Sequence, residues 1–343
     1  MAYTTINKST AHFNTKLYTG NGGTQSITGV GFKPDFTWFK NRSETFDHAF
    51  YDIVRGAYWT IQSNTTSAQT ANDGLTAWTS DGFNIGNVNN TNKNGNNICS
   101  WNWKANGAGS ANTDGSITST VSANTTAGFS IVKFSNGGGG ATVGHGLGVV
   151  PKMIIVKRLD DSGYDWVVYH KNDTNGLYLN SAGYNNDGSS NSIWFDGVAP
   201  TSSVFSCGGD GRMTGSGKNF IAYCFADVKG FSKMISYTGN ASTDGTFVYC
   251  GFKPSFILTK ATATGEGWQI YDNKRLGFNV TEKVLYPNTS GSESTLPGAV
   301  DFLSNGFKWR TGDGGVNSNQ LYVGMAFAEA PLVGTNNVPC TAR

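Results

Sequence analysis

GFKPDFTWFK at residues 31–40 and GFKPSFILTK at 251–260 share their opening GFKP and closing lysine, and a looser version, GVVPKMIIVK, stands at 148–157. Each follows a glycine-bearing turn phrase: YTGNGG at 18–23, YTGNASTDG at 237–245 and FSNGGGG at 134–140. Pro34, Pro151 and Pro254 therefore mark one position at intervals of about 100 residues, the sign of an internal repeat. Within the phrase Phe36, Met153 and Phe256 correspond, and two residues further on so do Trp38, Ile155 and Leu258. Residues two apart share one face of a strand, so this face is predicted to be core in every copy.

Working outward, HAFYDIVRG, WVVYHKNDTNG and WQIYDNKRLG align on Tyr51, Tyr169 and Tyr271, and each copy closes on an aromatic strand: ICSWNWKA, FIAYCFAD and YVGMAFAE. There Trp101, Tyr223 and Met325 correspond, as do Trp103, Phe225 and Phe327, which predicts that the large indoles fill sandwich interiors instead of lining a groove. Each copy holds about seven short period-2 runs bounded by turn signals such as Asp81-Gly82, Asn305-Gly306 and Asp187-Gly188, and no convincing helix. The fold class is all-β: three tandem antiparallel β-sandwich or jelly-roll-like repeats of about 100 residues. The chain divides into repeat 1 at 1–104, repeat 2 at 129–229, repeat 3 at 230–332 and a tail at 333–343, and the Gly/Ser/Thr/Asn-rich 105–128 reads as a flexible or extended linker.

Only 14% of the 343 residues are charged, against roughly 25% in an average globular chain, while glycine contributes 46 residues and asparagine 35. Such a surface is wetted by amides and hydroxyls. The balance of 25 basic against 23 acidic side chains provides no electrostatic footprint for nucleic acid or an anionic membrane. No secretory signal opens the chain and no run of 18 apolar residues suggests membrane insertion. Five widely spaced cysteines without a CxxC pair read as buried free thiols of a reducing cytoplasm.

Comparison between copies also sorts the polar residues. Asp52 with Arg55 parallels Asp272 with Arg275, so each is predicted to form a local structural ion pair that pins a turn; repetition argues against catalysis. Lys40, Lys157 and Lys260 end one strand and are read as solvating its exit. GHGLG at 144–148 lacks a following helix, and GRMTGSGKN at 211–219 lacks the first glycine and the Ser/Thr of a P-loop. The four histidines show no metal spacing, and no nucleophile motif is present. No enzymatic activity, cofactor or metal is expected. The candidate contact residues are those without counterparts, Tyr184, Trp194 and Phe195, in a loop of copy two where exposed rings could stack on a sugar or a neighbouring subunit.

YTGNGG, GFKPDFTWFKNRS, YDIVRG, SDGFNIG and WNWKANG, with YDNKRLGFNV, VLYPNTS, VDFLSNGFKWR and MAFAEAP near the end, resemble a family of tandem β-sandwich modules, lectin-like or SPRY-like, found in virion structural proteins of tailed bacteriophages of marine type. Copy two departs from the pattern, since it lacks the VRG element and has FSCGGDG in place of SDGF. The resemblance implies a non-enzymatic protein on the particle surface, in a tail fibre or receptor-contacting appendage, assembled in the host cytoplasm. Its partners would be other virion proteins and a host surface polysaccharide or receptor, and homo-oligomers are compatible with it. A capsid decoration protein and a soluble glycan-binding lectin are the alternatives.

Overall fold

A computed structural model describes residues 4–173, 176–184, 194–263, 265–334 and 339–340. The chain is all-β: among the described residues the sheets are antiparallel and helix is confined to short turns such as Ser9–Ala11 and Asn89–Asn92.

The first segment forms a four-stranded sheet in the order Phe13–Thr19, Asn97–Trp103, Phe36–Asn41, Ala49–Asp52. The third follows the same order with Ser232–Thr238, Leu321–Pro331, Phe252–Ala261 and Gln269–Asp272. In the second, Phe129–Ser135, Asn219–Phe225, Met153–Arg158 and Val167–His170 occupy the corresponding places in a seven-stranded sheet. Registers correspond as well: Phe36, Met153 and Phe256 lie opposite Trp103, Phe225 and Phe327 on one side and Asp52, His170 and Asp272 on the other.

A smaller outer sheet backs each of these: Gln25–Thr28, Gly82–Ile85 and Ala77–Thr79 in the first segment, Ala141–Gly144 with Val204–Cys207 in the second, and Phe247–Tyr249, Gly306–Trp309, Ser294–Leu303 and Thr281–Val284 in the third. Ser80-Asp81 turns one outer hairpin, with Gly82 as the first residue of the returning strand opposite Thr79; a Cβ on Gly82 would stand 1.9 Å from the Ile27 carbonyl oxygen, so only glycine lets the strands pair there. Ser304-Asn305 turns the matching hairpin of the third segment, with Gly306 opposite Leu303. Asp187-Gly188 lies outside the described residues.

The segment 105–128 is not a free spacer. Ser119–Asn124 pairs with Phe129–Ser135, and Ser110–Asn112 pairs with Ser119–Asn124. They cover the edge that Phe13–Thr19 and Ser232–Thr238 occupy as terminal strands of their own sheets. Val121, buried in the second segment's core, seats this added strand. The small polar composition conceals it, because one apolar anchor is enough to hold a strand whose backbone pairs fully.

The position of the core differs from the expectation of three separate sandwich interiors. One face of each inner sheet packs on its outer sheet, through Phe39, Tyr51 and Ile98 against Ile27, Phe83 and Ile85 in the first segment. The opposite face, carrying Phe36, Trp38, Trp101 and Trp103, packs on the other segments. All the aromatic and aliphatic residues assigned to the core are buried: Phe36, Trp38, Trp101, Trp103, Ile155, Tyr223, Phe225, Leu258 and Phe327. They line a common centre. The corresponding rings of Trp103, Phe225 and Phe327 meet there, with centroids 6.4, 6.1 and 5.7 Å apart pairwise. Three inner sheets thus turn one face inward around a shared aromatic cluster.

Cys99, Cys207, Cys224 and Cys250 are buried free thiols, whereas Cys340 is half-buried.

Candidate functional site

Lys40, Lys157 and Lys260 are fully buried, contrary to the reading of solvated strand ends. Lys40 Nζ donates to the carbonyl of Phe46 in its own segment and to that of Ser290 in the third, 2.9 Å away. Lys157 does the same to Tyr164 and, at 3.2 Å, to Thr66 in the first segment. Lys260 donates to Glu266 at 2.6 Å and to Ala182 in the second segment at 2.7 Å. First reaches third, second reaches first and third reaches second, so the lysines close a ring. A buried ammonium needs such carbonyl acceptors; burial brings each lysine down to about 8, which leaves it charged at neutral pH.

The same cyclic order recurs one strand away. His48 Nδ1 accepts the Trp38 indole N–H at 2.8 Å, which leaves Nε2–H to donate to the Tyr286 carbonyl of the third segment at 3.1 Å. Trp166 and Trp268, which correspond to His48, donate to the Gln62 and Tyr178 carbonyls of the preceding segments at 2.9 and 2.8 Å. Replacing any of the three lysines by methionine keeps the volume but strands two carbonyls, and is expected to cost about 1–3 kcal/mol. Urea unfolding should return similar losses for Lys40→Met, Lys157→Met and Lys260→Met; a loss at one site alone would show that the joints are not equivalent.

A second set of joints runs in the opposite sense. Asp52 accepts Arg55 Nε at 2.5 Å and the hydroxyl of Tyr223 from the second segment at 2.8 Å. Asp272 accepts Arg275 Nε at 2.6 Å and the indole N–H of Trp101 from the first segment at 3.0 Å. His170 stands at the corresponding place in the second segment; its Nδ1 accepts the Asn172 amide, and Nε2 donates to Gly324 of the third segment at 3.2 Å. The two Asp–Arg pairs pin local turns and also join segments. Arg275 continues to Glu293, which takes both ends of the Arg42 guanidinium at 2.8 Å, so two arginines and two carboxylates tie the third segment to the first.

Burial pulls His48 well below the ordinary imidazole value and His170 down to about 4. A histidine whose folded value is depressed is neutral in the native state, so its stabilisation is complete above the unfolded value of about 6.5 and is lost as pH falls toward the folded one. Through His170 stability should therefore decline between pH 6.5 and about 4, by roughly 1.4 kcal/mol per pH unit, and His48 should add to the decline in the same direction. His12 and His145 shift the same way. Melting temperatures between pH 7.5 and 5 would test this; His170→Gln should flatten the slope, and an unchanged slope would remove His170 from the effect.

The candidate contact residues are not exposed. Trp194 and Phe195 are each 1% accessible and belong to the second segment's own core, with ring centroids 5.1 Å from Tyr178 and 5.5 Å from Tyr169. Among the described residues the outer sheet there has two strands, against three and four in the other segments, and these rings fill the space beside it. Tyr184 is half-buried against the central core and forms a β-bridge with Leu177. The intervening residues 185–193 lie outside the described residues.

Exposed rings occur elsewhere, notably Phe247 and Tyr249, 43 and 50% accessible, on either side of buried Val248. Their counterparts in the first segment, by strand register, are Ser26 and Thr28. Aromatic residues on an outward face where another copy has hydroxyls were the available signal. Among the described residues no three His, Cys, Asp or Glu side chains group as a metal site.

The profile of a family described as a domain of unknown function (DUF7483) matches residues 8–331, running through all three segments as one unit. No curated protein matches the chain.

Proposed function

The chain belongs to the DUF7483 family, and on that premise we propose that it is a non-enzymatic structural protein exposed on a bacteriophage particle, in a tail fibre or receptor-contacting appendage. The observation that carries this reading is the cyclic set of joints. The buried lysines, the two aspartate–arginine pairs and the joint histidines are engaged in fastening one segment to the next. Such a ring holds its loops in fixed relative positions, as a presenting scaffold must. A surface poor in charge and rich in Asn, Gly, Ser and Thr accords with a particle exterior, as does the resemblance of the repeated phrases to virion modules. Its partners would be other virion proteins and a host surface molecule.

A second reading, capsid decoration, draws support from the recurrence of one strand order three times. A ring with three similar faces suits a seat on a local threefold position of a shell. Immunogold labelling of purified particles separates the two. Label at the tail supports the appendage, label over the shell supports decoration, and particles without the protein would overturn both.

A further inference from the structure

We propose that the seam between the second and third segments carries a binding track for an acidic polysaccharide. A depression of about 610 Å³ opens there, lined among others by Asp227, Lys229, Lys233 and Tyr249. Asp227 belongs to the end of the second segment, and its carboxylate is 2.5 Å from Lys152 Nζ and 3.9 Å from Lys171 Nζ. Lys233 Nζ donates to the Tyr249 carbonyl at 2.6 Å and lies 5.3 Å from the centre of its ring. Lys152 and Lys233 both act electrostatically on Lys171. Around the Asp227 carboxylate, Lys152, Lys171 and Lys233 therefore outnumber the negative charge that it supplies, and the next carboxylate along the surface, Asp173, is largely buried. An anion supplied from outside would complete the balance.

The depression is not isolated. A second, of about 240 Å³, shares Lys233 and Tyr249 and continues to Phe247. A third, of about 180 Å³ and lined by Lys171, Tyr169, Asp173 and the exposed Val198, lies beyond the contact of Asp227 with Lys171. Aromatic face, cationic centre and apolar far end thus follow one another, which suits an elongated ligand better than a single small anion. Tyr249 presents a flat ring that can stack on the C–H face of a pyranose, while the lysines meet acid groups spaced along the polymer. A neutral glycan would leave the cations unused. Nucleic acid would require more phosphate contacts than this short cluster supplies.

Binding of the purified full chain to polygalacturonate at low ionic strength tests the assignment, with neutral dextran as control and a single-stranded oligothymidylate as the competing class. This measurement needs no particle, so its failure and the failure of the virion reading are separate results. Polygalacturonate should bind and dextran should not, with affinity falling as salt rises. Lys171→Ala combined with Lys233→Ala should weaken binding about tenfold or more, and Tyr249→Ala about fivefold. Lys93→Ala, on the first segment and paired with Glu44, should leave it unchanged. All of these side chains are partly or wholly exposed, and unaltered melting would show that the variants remain folded. No binding to polygalacturonate, equal binding by the variants, or tighter binding of the oligothymidylate through the same residues would each overturn the proposal. So would self-association of the lysine variant with binding intact, which would make the lysines guards of the Ser232–Thr238 edge.

Discussion

Replacing Trp103 by alanine is expected to destabilise the chain by about 3–5 kcal/mol and to bring down all three segments in one transition. The indole stands where the corresponding rings of the segments meet, 6.4 Å from Phe225 and 5.7 Å from Phe327, with Phe13 at 4.8 Å and Phe36 at 5.2 Å. Phe36, Phe225 and Phe327 sit on strands paired on both sides, so the walls cannot close over the lost volume, and an unfilled cavity raises the cost. The same geometry predicts cooperativity: a segment that opened alone would expose the inner faces of the other two. Trp103→Phe is expected to be mild, below about 1.5 kcal/mol. It restores the ring present at the other two positions and removes an indole N–H that has no acceptor. Calorimetry of the intact chain checks both expectations. A thermogram in which the first segment of Trp103→Ala melts separately, well ahead of the rest, would contradict a shared core.

What was legible in the sequence was one face of each strand. Comparing Phe36, Met153 and Phe256, or Trp103, Phe225 and Phe327, identifies buried positions because identical packing demands apolar residues in every copy. The comparison does not reveal what the buried face touches. Phe36–Asn41 is buried at every position, and a strand covered on both sides reads as a near-continuous apolar run whose second partner is invisible locally. Lys40, Lys157 and Lys260 mislead for a related reason: a lysine at a strand end is usually solvated, and only its strict recurrence hinted at a shared buried role. The burial of Trp194 and Phe195 was unreadable because it depends on contacts with Tyr178 and Tyr169 on strands distant in sequence. Phe247 and Tyr249 were legible in principle, as rings on the outward face of an aligned strand whose counterparts, Ser26 and Thr28, carry hydroxyls.

The largest polar effect is expected at Asp52. Asp52→Ala would leave the Arg55 guanidinium inside the joint, its Nε and backbone N–H without their carboxylate, and only neutral groups retained: the Phe50 carbonyl at 3.0 Å and the Tyr223 hydroxyl. Removing one partner of a buried pair costs about 3–5 kcal/mol, because the charge left behind is uncompensated. Asp272→Ala should cost less, although its pair is equally buried. Arg275 keeps Glu293 within 3.2 Å, and Arg55 has no second carboxylate bonded to it among the described residues. Tyr223→Phe separates the bond across the joint from the local pair: it deletes the hydroxyl that reaches Asp52 yet leaves Arg55 in place, and should cost about 1 kcal/mol. Exchanging Asp52 for leucine and Arg55 for methionine together should recover much of the loss, since an apolar pair has no stranded charge. Urea unfolding of these variants orders them as Asp52→Ala, then Asp272→Ala, then Tyr223→Phe. If Asp272→Ala proved as damaging as Asp52→Ala, the Arg42–Glu293–Arg275 chain would not be compensating the buried guanidinium, and its part in the joint between third and first segments would be limited to the Arg42–Glu293 pair itself.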